Sequence, residues 1–205
     1  MNGMKSATLA SISNFSDDPG ILYLHSRKQM LDSFKREMVR RASCVDMLGW
    51  NLWESWFEVR AIAREFETRA TSPNFEMRVL LPKKNGLFYK FLCGNRIAFG
   101  LPHTDVQGEE LMRRHDHTVR HLKGLLSDRF EDTVRFLPFQ AVFSGTVRCG
   151  EIMAVTHYST RSRGSASLTL LLHKNAGRRE ARELYEFWAT EFNTLWTETR
   201  RPTPK

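Results

Sequence analysis

The run from Cys44 to Pro82 restricts the fold more than any other part of the chain, because two short apolar segments there flank one of helical period. Cys44-Val45-Asp46-Met47-Leu48-Gly49-Trp50 is too short for a helix and closes on glycine, so it reads as a buried strand. From Leu52 to Arg69 the residues Trp53, Trp56, Phe57, Ile62 and Phe66 recur at helical intervals, with Asn51 placed to cap the start. Thr71-Ser72-Pro73-Asn74 stops that helix, and Phe75 to Pro82 reads as a second strand ended by proline. A strand, a helix and a strand in this order oblige a parallel pair with a right-handed crossover. The next loop, Lys83-Lys84-Asn85-Gly86, leaves the second strand at its C-terminal end, where open α/β sheets place ligands. Lys83 and Lys84 are therefore candidate anion contacts, weighed against an ordinary basic loop.

The remaining segments extend this unit. Residues 1–20 form a lead-in closed by the turn chemistry of Ser16-Asp17-Asp18-Pro19-Gly20. From Ser26 to Ala42, Leu31, Phe34 and Met38 mark one face of a helix, while Lys28, Lys35, Arg36, Arg40 and Arg41 give it a basic outer face, either solvated or facing phosphates. Residues 87–100 fit either a helix broken at Gly94 or a strand-like segment. Asp105 to Leu126 is a helix whose inner face is Leu111, His115, Thr118 or Val119, Leu122 and Leu126. Thr133 to Leu137 is a third strand. It leads into an apolar stretch from Phe136 to Tyr158, read as two central strands joined by a tight turn at Arg148–Glu151. Ser167 to Leu172 is a further strand. Arg178 to Arg200 is an amphipathic helix with a seam of Leu184, Trp188, Phe192 and Leu195, flanked by Phe187 and Trp196. One domain over residues 21–200 with a tail at 201–205 is expected.

Composition narrows the class. Fourteen Phe and five Trp supply enough apolar surface to offset the entropy of ordering. The formal net charge of +8 favours acidic partners such as phosphate esters, nucleic acid or anionic lipid, without marking a site. Cys44, Cys93 and Cys149 are an odd set with no C-x-x-C spacing, which speaks against a disulfide framework or zinc knuckle and for a reducing cytoplasm. No stretch has the length and apolarity of a membrane span, and residues 1–13 are too polar for a signal peptide.

The order of elements resembles one half of the phospholipase D superfamily fold: an α/β domain with a mixed, mostly parallel central sheet flanked by helices. The residues that carry the likeness are the strand Val45–Trp50, the strand Met77–Pro82, the hairpin from Phe136 to Tyr158 and the closing Phe192-Asn193-Thr194-Leu195-Trp196. They are similar to phospholipase D-like domains of bacterial regulatory and defence proteins, whose last helix carries a Phe-x-x-x-Trp pattern. Active members of the superfamily use H-x-K-x(4)-D, in which histidine attacks phosphorus and lysine stabilises the phosphate charge.

That string occurs once, at His121 to Asp128, but on the helix rather than on a strand. Residues two apart share a face on a strand, whereas on a helix they point roughly 200° apart, so His121 and Lys123 do not converge on one phosphate and His121 points outward. Aligned by its turn, the hairpin has Val142 where the resemblance implies histidine, Ser144 at the lysine, Cys149 near the aspartate and Thr156–Ser159 near a G-S-x-N companion. His157 is the hairpin's lone imidazole, followed by Tyr158, Ser159, Arg161 and Arg163. A metal site built from His115-Asp116-His117 and His121 lacks a second donor pair elsewhere, and Cys149 has no base near it in sequence.

The expectation is thus a non-catalytic binding or regulatory module. Its ligand carries phosphate, as a nucleotide or nucleic acid, and is held by His157, Tyr158, Arg161, Arg163, Lys83 and Lys84 without metal or cofactor. Two readings stay open beside it: a divergent phosphodiesterase or nuclease acting as a homodimer, and a protein-interaction scaffold.

Overall fold

The computed structural model describes residues 21–24, 30–49, 52, 56–83, 105–137, 144–157 and 168–199. Its strands are β1 (Ile21–Leu24), β2 (Cys44–Leu48), β3 (Glu76–Pro82), β4 (Val134–Leu137), β5 (Ser144–Cys149), β6 (Ile152–His157) and β7 (Thr169–His173). Its helices are α1 (Asp32–Arg41), α2 (Arg60–Ala70), α3 (Asp105–Leu126), the short α4 (Phe130–Thr133) and α5 (Arg179–Glu198). One sheet holds all seven strands in the order β1-β7-β6-β5-β2-β3-β4.

The strand-helix-strand unit forms as expected, with β2 and β3 parallel from Cys44↔Glu76 to Leu48↔Leu80. β4 adds to β3 in the same sense. The sheet is the mixed one anticipated, with its parallel pairing confined to β2-β3-β4 rather than running through most of it. A hairpin and two further reversals make the pairs β2–β5, β5–β6, β6–β7 and β7–β1 antiparallel. The hairpin stands at the centre, its two-residue turn being Gly150 and Glu151 between the pair Cys149↔Ile152. Gly150 has φ of +59°, the conformation a tight hairpin turn requires at its first central residue.

Alternation along the strands divides the core. Val45, Met47, Val79, Leu81, Val147 and Ala154 face one side, where α1, α2 and α3 bring Phe34, Met38, Ile62, Phe66 and Leu122. Leu48, Leu80, Leu137, Met153, Val155 and Leu172 face the other side, where α5 brings Tyr185, Ala189 and Phe192. On α3 the buried residues His115, Thr118, Leu122 and Leu126 are the inner face read from the sequence.

Several boundaries differ from expectation. β1 was not foreseen, because four residues carry no measurable period. α1 begins at Asp32, since Leu31 is extended at ψ 146°. α2 begins at Arg60 after an extended Val59, with Trp56 and Phe57 buried just ahead of it. The expected cap Asn51 and residues 87–100 lie outside the described residues. The inner face of α5 is Ala181, Tyr185, Ala189 and Phe192, while Leu184, Trp188 and Leu195 flank it and Phe187 is exposed. The large apolar residues dominate the sequence pattern, but the residues the helix buries include the small Ala181 and Ala189.

Candidate functional site

The register places the ends of several strands at one edge of the sheet. Leu48 pairs with Leu80 on one side and Thr146 on the other, Leu80 pairs with Arg135, and Thr146 pairs with Val155. Two residues further on, Pro82, Leu137, Ser144 and His157 therefore share one level. Pro82 pairs with Leu137 and Ser144 with His157. The Lys83 amide donates to the Leu137 carbonyl at 3.0 Å, which extends the β3–β4 ladder by one residue. Buried His115 of α3 sits beneath this exit and donates from Nε2 to the Pro82 carbonyl at 2.9 Å. On β6 and β7 the hydroxyls of Thr156 and Thr169 bond to each other at 3.1 Å, just inside the same edge.

Of the residues singled out in the sequence, Lys83 is exposed at this edge and His157 ends β6 there. Three strand spacings, roughly 14 Å, separate their strands. Lys84, Tyr158, Arg161 and Arg163 lie outside the described residues. They follow these two strand ends directly in the chain.

The His121–Asp128 string lies on α3 and the turn after it, as expected from its period. The helix closes at Ser127, whose φ of +45° is left-handed. His121 does not point freely outward: it is half-buried, its ring 4.8 Å from that of Phe57. Burial there pushes its pKa below the usual histidine value, opposed by the charge of Glu67. Lys123 lies 5.4 Å over the Phe130 ring, so the two members of the string attend different partners. Burial, with lesser contributions from Cys44 and Asp46, pushes the Cys149 thiol far up, which leaves it inert as a nucleophile. Among the described residues no group of three His, Cys, Asp or Glu is placed to hold a metal ion.

A charged network that no sequence pattern marks lies beneath α5. Asp46, buried in the middle of β2, accepts two bonds from Arg78 of β3, at 2.7 and 2.9 Å, and a third from Arg148 of β5. The three residues are direct cross-strand neighbours. Arg78 continues into α5, donating to Asn193 Oδ1 at 3.0 Å and lying 5.1 Å over the Phe192 ring. Arg135 of β4 stacks 3.8 Å over Trp196 and donates to its carbonyl. Burial disfavours the charge on Arg148, but Asp46 prevails and its pKa is raised. Tyr185 donates to the Gly150 carbonyl at 2.6 Å; burial, partly offset by Arg148, pushes its pKa up to about 12. Charge-assisted bonds from two guanidiniums on neighbouring strands, one of which continues to Asn193, make this network a clamp between strands and helix. The signal in sequence was a lone Asp46 inside an apolar strand. Its partners became legible only once register was known.

No protein-family model matches this chain, and no curated protein matches it. Among solved structures, TrmBL2, an archaeal chromatin protein whose structure shows a novel mode of DNA binding, superposes with a TM-score of 0.51 at 9% identity. The match covers 93% of this chain and 59% of TrmBL2. Phosphatidylserine synthase of Haemophilus influenzae Rd KW20 gives a TM-score of 0.43 at 11% identity, covering 91% of this chain and 40% of the synthase. The chain thus spans less than two thirds of either protein. The likeness to TrmBL2 is one of fold alone, and that to the synthase is too slight to carry weight.

Proposed function

We propose that this chain is a phospholipase D-like module that binds a phosphate-bearing ligand, nucleic acid foremost, at the edge where β2, β3 and β4 end. Lys83, Lys84, His157, Tyr158, Arg161 and Arg163 are the contacts we assign to it. The observation that carries this reading is the convergence of strand ends: Lys83 and His157, distant in sequence, close strands at one edge.

In sequence Lys84 follows Lys83 at the end of β3, and Arg161 and Arg163 come within six residues after His157 at the end of β6. Clustered lysines and arginines are the electrostatic footprint of phosphate binding. The DNA binding stated for TrmBL2, which shares the fold, supports the same ligand class. Binding is favoured over cleavage because His121 and Lys123 face Phe57 and Phe130 and have no common point to hold a phosphate.

Fluorescence anisotropy with labelled single-stranded and duplex DNA over a salt series tests this. Affinity should fall steeply as salt rises, and each cation removed among Lys83, Lys84, Arg161 and Arg163 should lower the log–log slope by about one. A variant with all four changed to alanine that binds as tightly as wild type, with the same slope, would sink the assignment.

A further inference from the structure

The two helical layers carry opposite charge. α1 has four Lys and Arg against two acids and α2 three Arg against two Glu, whereas α5 has five Glu against two Arg. One side of the sheet thus has a surplus of three positive charges in α1 and α2, and α5 on the other side a surplus of three negative. Within α5 the basic residues stand at the start: residues 183–199 include Glu183, Glu186, Glu191 and Glu198 but no Lys, Arg or His. Within that stretch Phe187 is 54% exposed, with Glu183 and Glu191 one turn to either side of it. On α2, Arg60 and Arg64 stand one turn apart, exposed, and make no ion pair among the described residues.

We propose that this chain self-associates head to tail, the α5 face of one copy, centred on Phe187, docking on the α1/α2 face of the next around Arg60 and Arg64. Charge decides the occupant. Two α5 helices brought together would set glutamate against glutamate, which disfavours a two-fold pair. The complementary surface is already present on the same chain, and a guanidinium over the Phe187 ring adds a cation–π contact that its aliphatic stem shields from water. Because the two faces lie on opposite sides of the sheet, the contact is heterologous and leaves the pair with one free face of each kind, to which further copies can add. Neither face includes Lys83 or His157, so association and nucleic-acid binding stand or fall separately.

Sedimentation velocity of the full chain, without nucleic acid, across a concentration series at low and high salt tests this. Wild type should form oligomers larger than a dimer at low salt and dissociate as salt screens the contact. Phe187→Ser, Glu191→Arg and Arg64→Glu, each checked for unchanged folding by circular dichroism, should each weaken association about tenfold or more. Glu191→Arg mixed with Arg64→Glu should recover oligomers as large as those of wild type, built by alternation, since each variant repels itself while both of its faces are complementary to the other variant. A wild type that is monomeric at every concentration overturns the proposal, even if Phe187 then serves some other cationic protein. So does a closed dimer indifferent to the three substitutions, or a mixture that recovers nothing.

Discussion

The two sides of the sheet solve the same packing problem differently. On the side of α1, α2 and α3 the strands present an almost unbroken apolar surface, and Phe34, Met38, Ile62, Phe66 and Leu122 close over it. On the α5 side the apolar contacts split into two smaller groups, around Leu48 and Leu80 and around Met153 and Leu172. Into that side the chain sets Asp46, Arg78, Arg148 and the aromatic rings that Arg78 and Arg135 lie over. The first layer is held by non-directional burial. The second is held by directed bonds, which fix where α5 lies across β2, β3, β4 and β5.

Truncation separates the two modes. Phe66, wholly buried between Trp56 and Phe57, should cost about 4 kcal/mol when changed to alanine, through lost transfer energy and the cavity left behind. For a chain of this size that is a fall in Tm of roughly 8–16 °C, measurable by calorimetry. A loss under about 1 kcal/mol would mean that α2 is not the keystone of that layer.

Asp46→Ala should cost about 3 kcal/mol, because it strands Arg78 and Arg148 against the sheet without their counter-charge. Replacing all three residues by apolar ones of similar volume should recover most of that loss, and is the sharper experiment. If the triple variant is as unstable as Asp46→Ala, the bonds themselves stabilise the fold. If it is restored while the Phe192 and Trp196 resonances broaden, the network serves mainly to fix α5 in one place.

The same contrast explains what was legible in the sequence. Apolar period exposed β2, β3 and α3 nearly to the residue, because burial imposes a repeat that a single chain displays; the hairpin's turn was legible too, but its first strand begins at Ser144, and Phe136 and Leu137 belong to β4. The Asp46 network is built across strands 32 and 102 residues apart, a separation no local pattern encodes. The face of α5 differs from the sequence pattern for a related reason: leucine and tryptophan dominate a hydrophobic pattern, whereas the buried face includes Ala181 and Ala189. At the candidate edge the sequence supplied the basic residues. That Lys83 and His157 close strands at one edge needed the register that sets Leu48 against both Leu80 and Thr146.

Titration probes the apolar layer from within. His121, half-buried against Phe57, has its folded pKa below its unfolded value of about 6.5, so the unfolded chain binds its proton more readily. Stability should be unaffected by this group above that value and should fall as pH drops from there toward the folded pKa. Urea unfolding of wild type and His121→Phe between neutral and mildly acidic pH checks it. The variant should lose less stability than wild type over that interval, and equal slopes would assign the acid sensitivity to other groups.

The smallest effect concerns the charge contrast itself. Glu37 bonds Arg40 and Arg41, each at 2.6 Å from its Nε, and these two guanidiniums, Arg40 foremost, hold its pKa down at about 2. A carboxylate with a depressed folded pKa stabilises the fold above its unfolded value of about 4.3, and that contribution disappears as pH falls toward the folded pKa. These are surface pairs within one helix, so Glu37→Gln should cost only a few tenths of a kcal/mol at neutral pH, and less in high salt. The difference between variant and wild type should shrink as pH is lowered from 4.3. A pH-independent difference would mean that Glu37 acts through helix packing, and that α1 is less neutralised than its ion pairs imply. The outer face of α1 was read as a broadly basic surface, but the arginines nearest its end are already engaged. What α1 and α2 can offer a partner is thus weighted toward Arg60 and Arg64.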